Sequence, residues 1–329
     1  MIEEADSTES ADMTEGTEST EGAGSTEGAG STDPGPVESP AAGQPGSIEP
    51  APGEPTPPII PPGLNAVIAF VRHGESEWVR EGRFQGQGDS PLSELGRRQA
   101  LLTARRIARR ARRPVLPLPA GPPRSVVHSP LARATETAEL LARALSGGRG
   151  ADAVEQPVSL LPEPGFLEIG QGEWEGLPGA EVTERWGELL AQWRRDPLVA
   201  WAPGGESIAD VDVRVRAALR PLLEDLAAAA PPPDPSRSQV LGYADLPSDE
   251  PWSIVVAHDG VFKVTLLALL DLPLARFWVL PFALCGITIV EIRNGRPRLR
   301  LHNATDHLSS IETDAERDAA EIRRKSGAL

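Results

Sequence analysis

The first strong apolar signal is Ala66-Val67-Ile68-Ala69-Phe70-Val71, a short unbroken run with β-branched residues. That pattern predicts a strand buried on both faces. A turn-rich stretch, Glu81 to Pro91, follows. Ser93 is placed to cap a helix reaching to about Arg113, with Ala100, Leu101, Ala104, Ile107 and Ala108 on its apolar side. Ser125-Val126-Val127-His128 reads as a second strand. Pro130 to Leu145 reads as a second helix with proline in its first turn.

Beyond these, Pro157 to Leu161 forms a short strand pattern, and helices are expected over Ala180 to Arg195 and Ser207 to Ala229. Trp252 to Ala257 is a further buried strand, and Val261 to Leu270 a further helix. Gly286 to Ile292 and Arg298 to His302 flank Asn294-Gly295, a strong short-range hairpin signal. Strands alternating with helices imply a three-layer α/β/α sandwich on a mostly parallel sheet with an antiparallel edge strand.

Composition divides the 329-residue chain. Met1 to Pro62 holds thirteen acidic residues, no Lys or Arg, and Ser19–Gly24 repeated as Ser25–Gly30. Such a segment has too little apolar surface to offset its ordering entropy and is expected to be a disordered tail. The formal charge is −16; thirteen of those charges precede Gly63, which leaves −3 for the rest. The acidity therefore says nothing about a basic partner. The expected divisions are a tail over 1–62, a domain over 63–312 with a proline-rich insertion at 231–250, and a charged tail over 313–329.

No run approaches the roughly 20 apolar residues of a membrane-spanning helix. The opening residues Met1-Ile2-Glu3-Glu4 lack the pattern of a secretory signal, so no membrane partner is expected. Cys285 is the only cysteine, which excludes an intrachain disulfide and a cysteine metal cluster and fits the cytoplasm. The arginines of 97–113 lie opposite an apolar stripe and read as a solvated face, so no nucleic-acid partner is expected. Only Lys263 and Lys325 are lysines among 32 basic residues, which points to a general arginine bias.

In open α/β sheets ligands bind beyond the carboxyl ends of the strands. The residues there are Arg72-His73-Gly74-Glu75, Ser129-Pro130-Leu131-Ala132-Arg133 and His258-Asp259-Gly260. Two histidines and two arginines at one sheet edge are the makings of an anion site with a nucleophile. The blocks Val71 to Trp78, Gly82 to Gly86, Ser90 to Gly96, Ser129 to Ala134, Leu167 to Gly176, Val256 to His258 and Asn303 to Leu308, in that order, resemble the histidine phosphatase superfamily, phosphoglycerate-mutase-like branch.

The resemblance implies a phosphomonoester hydrolase that forms a phosphohistidine on His73, with no metal and no cofactor. It implies Arg72 and Arg133 as phosphate ligands, His258 as a charged donor completing the cradle, and Glu168 as general acid and base, with Glu163, Glu173 and Glu175 as nearby alternatives. Gln85 and Gly86 are the expected substrate contacts outside the cradle, and the partner is a small phosphorylated molecule. Trp174, Trp186, Trp193 and Trp201 fit either core or pocket wall.

Two positions depart from the family. Val79 replaces an asparagine that touches phosphate, and Asp259 replaces a glycine. Asp259 could crowd the phosphate, tune the pocket or donate a proton, as the Asp of the related acid phosphatase branch does. The segment after Glu168 is similar to phosphatase members rather than mutases. That leaves a phosphoglycerate mutase, or an inactive binding module, as the alternatives.

Overall fold

The computed structural model describes residues 58–113, 115–146, 157–231 and 249–311. The acidic tail up to residue 57, the proline-rich segment over 232–248 and the charged stretch from 312 onward lie outside the described residues.

Six strands form one sheet: β1 (Ala66–Arg72), β2 (Ser125–His128), β3 (Ser159–Pro162), β4 (Trp252–Ala257), β5 (Ile287–Arg293) and β6 (Arg296–Ala304). Their order is β3-β2-β4-β1-β5-β6. The first four run parallel, so their carboxyl ends share one edge of the sheet. β5 pairs antiparallel with β1, and β6 closes the sheet antiparallel to β5. The reversal is therefore a two-stranded hairpin rather than one edge strand. Its turn holds Asn294 at φ 49° and Gly295 at φ 73°, both in the left-handed region that a tight hairpin of this twist requires.

Successive β1 residues point to opposite faces, and the two cores follow. Ile68 and Phe70 pack with Val211, Leu219, Val261 and Leu266 from α5 (Ile208–Ala229) and α6 (Asp259–Leu269). Val67, Ala69 and Val71 pack with Ala104, Ile107, Ala138 and Leu141 from α2 (Glu94–Ala108) and α3 (Ala132–Ser146). These are the three layers expected. A third core lies apart from the sheet. It joins Phe84 and Trp174 to Val182, Leu190 and Trp193 of α4 (Gly179–Arg195) and caps the site edge.

Several boundaries differ from expectation. α2 stops at Ala108 rather than near Arg113; Ala111, which would continue the stripe, is exposed and has nothing to bury against. α6 begins at Asp259 rather than Val261, with His258 as its N-cap. Gly260 argues against helix on propensity, yet it sits in the first turn, where a Cβ would come within 2.6 Å of Ile169. Ile60 is buried in the core beneath α5 and α6, so packing begins ahead of Gly63. The single-turn helix α1 (Glu77–Arg80), capped by the Ser76 hydroxyl, is an element that the hydrophobic pattern does not predict.

Candidate active site

The carboxyl ends of β1, β2 and β4 deliver Arg72-His73, Ser129 and His258 to one place. His73 and His258 are both buried, with ring centroids 4.9 Å apart. His73 Nδ1 donates to the Gly74 carbonyl at 2.6 Å. A carbonyl can only accept, so Nδ1 carries the proton and Nε2 keeps the lone pair. Burial, then the charges of Arg133 and Arg72, hold His73 well below the ordinary histidine range. At neutral pH it is an uncharged imidazole, the competent nucleophile.

His258 Nε2 is 2.8 Å from the Ser129 hydroxyl, while its buried Nδ1 has no protein partner. Burial, Arg133, His73 and Arg72 push its pKa well down. This direction runs against the charged donor expected for His258 before phosphate arrives. A desolvated imidazole beside cationic neighbours rests neutral, and only an arriving anion would favour its proton.

Arg133 opens α3 and is fully buried. Its Nη1 and Nη2 donate to the carbonyls of Gly88 and Gly86, each at 2.8 Å. Burial draws its pKa down to about 10, partly offset by Glu168 and Asp89, so it stays charged at neutral pH. Arg72 Nη1 donates to the Phe282 carbonyl at 2.7 Å. The Nε of both arginines is buried and unpartnered. Buried donors without acceptors are costly unless something anionic meets them. Here they cluster around a neutral nucleophile.

Glu168 stands at the mouth of this cradle. Its carboxylate accepts the N–H groups of Ile169 at 3.0 Å, Val261 at 2.9 Å and Gly260 at 3.2 Å, the last two from the start of α6. The loop that carries it is stapled from behind. Arg214 Nη1 donates to the carbonyls of Gly165 and Leu167 and its Nη2 to that of Glu168, while Glu206 pairs with Arg214 and accepts the Gly170 N–H. Glu175 Oε1 accepts the N–H groups of Gln87 and Gln171 and so ties the two loops together.

A narrow cleft adjoins the cradle. Gly86, Glu168 and Gly260 border it on the cradle side; Phe84, Trp193, Phe277, Trp278 and Lys263 form its outer wall. Gly86, at φ 52°, holds a conformation that favours glycine. Gln85 is turned inward, its Oε1 accepting the Ser76 hydroxyl at 2.6 Å, and is not among the residues lining the cleft. Val79 is half-buried on α1, its N–H on the Ser76 hydroxyl, and does not line the cleft either. Trp174 is core and Trp193 is pocket wall. Among the described residues no cluster of three or more His, Cys, Asp or Glu is arranged to hold a metal ion.

Sequence reasoning missed Arg214 and Lys263 as parts of this site, and it offered Glu175 only as an alternative acid, not as the tie between two loops. Lys263 was visible only as one of two lysines in an arginine-biased chain.

Comparison with known proteins follows the same lines. The profile of the histidine phosphatase superfamily (branch 1) matches residues 68–230 and 240–305. The chain is 36% identical over 212 residues to a glucosyl-3-phosphoglycerate phosphatase of Mycobacterium tuberculosis, covering 64% of this chain and 78% of that protein. It is 27% identical over 252 residues to phosphoserine phosphatase 1 of Hydrogenobacter thermophilus, covering 75% of this chain and 97% of the relative. It spans 56% of the length of another relative, a bifunctional protein of M. tuberculosis, at 30% identity over 75% of this chain. The solved structure of a mycobacterial glucosyl-3-phosphoglycerate phosphatase superposes with a TM-score of 0.55 at 28% identity, covering 73% of this chain and 99% of that one. The chain belongs to the histidine phosphatase superfamily, branch 1.

Proposed function

We propose that this chain hydrolyses phosphomonoesters through a phosphohistidine on His73, with Glu168 as general acid and base. The observation that carries the reading is the fixed tautomer of His73, a neutral Nε2 nucleophile among two buried guanidiniums with unpartnered Nε donors. Nε2 attacks phosphorus as the phosphorus–oxygen ester bond breaks. The carboxyl proton of Glu168 passes to the departing alkoxide. Glu168 then takes a proton from water, whose oxygen attacks the phosphohistidine and returns His73 and inorganic phosphate.

Arg72, Arg133 and His258 hold the phosphoryl oxygens. Guanidinium forks suit that task better than a point charge. With Ser129 donating to Nε2, His258 offers Nδ1–H to the phosphate. The aromatic-walled cleft takes the leaving group. Similarity to the glucosyl-3-phosphoglycerate phosphatases favours a bulky polar leaving group. A cytoplasmic location is supported by the single buried Cys285.

The test is phosphate release from a panel of phosphomonoesters in chelator, wild type against His73→Ala. Release that vanishes in the variant supports the reading, and the preferred ester names the leaving group. A wild type that transfers phosphate between hydroxyls without releasing it would favour a mutase instead.

A further inference from the structure

Asp259 follows the second site histidine, where a carboxylate could hand a proton to the leaving group. Asp259 does line the cleft, but its carboxylate is held by bonds of its own. Only 7% exposed, it receives Lys263 Nζ on Oδ2 at 2.5 Å and the Phe282 N–H on Oδ1 at 3.1 Å. Both oxygens are acceptors in these bonds, the arrangement of an ionised carboxylate that holds its neighbours. Phe282 in turn gives its carbonyl to Arg72 Nη1 at 2.7 Å.

That carbonyl is the one hydrogen-bond acceptor of the Arg72 side chain among the described residues, whereas Arg133 has two. The aim of Arg72 therefore depends on where Phe282 is held. The loop is gripped at its other points as well. Ala283 N–H donates to Asn303 Oδ1 at 2.6 Å, and Cys285 N–H donates to the carbonyls of Arg72 and His73 at 3.1 and 3.3 Å. Asp259 supplies the grip nearest the Arg72 acceptor.

Lys263 completes the arrangement. It lies one helical turn after Asp259, and its ammonium faces the rings of Phe277 and Trp278 at 5.2 and 4.9 Å. A buried ion pair adds little net stability over apolar residues of the same volume. What this pair adds is direction, since the ammonium fixes one carboxylate oxygen and thereby aims the other at Phe282.

We propose that Asp259 is a positioning residue that acts through Phe282 to orient Arg72 toward the phosphoryl oxygens, with Lys263 holding the carboxylate in place. The inference rests on reading Arg72 as a phosphate ligand.

The test compares two double variants of the full chain, Asp259→Leu with Lys263→Met and Asp259→Asn with Lys263→Met. Both remove the ion pair, but only the asparagine keeps an acceptor for the Phe282 N–H. The readouts are competitive inhibition by inorganic phosphate and kcat/KM for p-nitrophenyl phosphate and for an alkyl phosphate. The leucine pair should weaken phosphate inhibition on the order of 10- to 100-fold and lower both esters by a similar factor, because a misaimed ligand affects every substrate. The asparagine pair should recover most of that loss. If the leucine pair fails to fold, Asp259→Ala with Lys263→Met makes the same comparison.

Unchanged phosphate inhibition in the leucine pair would overturn the proposal. So would a loss confined to the alkyl ester, which would make Asp259 a proton donor. Arg72→Ala runs in parallel. If it leaves phosphate inhibition intact, the reading of the cradle has failed rather than the relay through Phe282.

Discussion

His73 donates its Nδ1–H to the carbonyl of Gly74, the next residue along the chain, at 2.6 Å. The nucleophile's tautomer is thus set by backbone, not by a partner carboxylate. Gly74 is itself pinned, since its N–H meets Thr137 Oγ1 at 3.3 Å and a Cβ there would run into the Gly96 backbone. Long-range proton–nitrogen spectra of the imidazole at pH 7 should show the proton on Nδ1. Gly74→Ala should lower kcat on the order of 100-fold by moving that carbonyl. A variant with normal turnover would mean that the tautomer is fixed some other way.

The buried histidines make stability depend on pH with a definite sign. His73, His258 and His307 all bind protons less readily folded than unfolded, His307 at about 4. Below about pH 6.5 the unfolded chain therefore takes up protons that the native state refuses. Their contribution is full above that pH and is lost as pH falls, through about 4 for His307. Urea midpoints should drop between pH 7.5 and 5, and His307→Gln should flatten the slope. A midpoint that rose on acidification would contradict the burial argument.

Glu168 and Arg214 should separate in their kinetics. An acid matters most when the leaving group is a poor one, so Glu168→Gln should cost an alkyl phosphate on the order of 100- to 1,000-fold and spare p-nitrophenyl phosphate in the first step. Arg214→Ala frees the carbonyls of Gly165, Leu167 and Glu168, so it should reproduce a weaker form of that pattern. It should also destabilise the fold by about 1–3 kcal/mol, because partly buried acceptors lose their partner. Equal losses on both esters in Glu168→Gln would point to Glu175 or another carboxylate as the acid.

Cys285 should be inert in the native enzyme. It is fully buried, its thiol pushed up to about 12 by desolvation, and thiolate is the reactive form. Disulfide reagents should label it only after unfolding and leave turnover intact beforehand. Labelling at the rate of a free thiol would show that the loop next to Arg72 and His73 opens.

Local patterns revealed most of the sheet. β4 runs from Trp252 to Ala257 as read, because six apolar or small residues between turn signals admit no other structure of that length. The hairpin followed from Asn294-Gly295 for the same kind of reason. The end of α2 and the start of α6 differ from expectation because a helix boundary depends on what its terminal turn packs against, which is a tertiary fact. The cradle was legible because His73 and His258 directly follow strand ends and Arg133 lies in the first turn of the helix after β2. The staple was not: Arg214 meets the Glu168 carbonyl across 46 residues, and Asp259 meets Phe282 across 23. No local spacing encodes such pairs. Gln85 was expected at the substrate because it sits in a recognised block, but its Oε1 serves Ser76.

The small core of Phe84, Trp174, Val182, Leu190 and Trp193 is separate from the two that sandwich the sheet. Its consequence is evolutionary. Substitutions that reshape the cap reach the sheet's core chiefly through the Trp193–Trp278–Phe277 contacts, so the specificity wall can drift while the strand ends that do the chemistry stay in register. A lineage built this way can diversify its esters without reinventing its nucleophile.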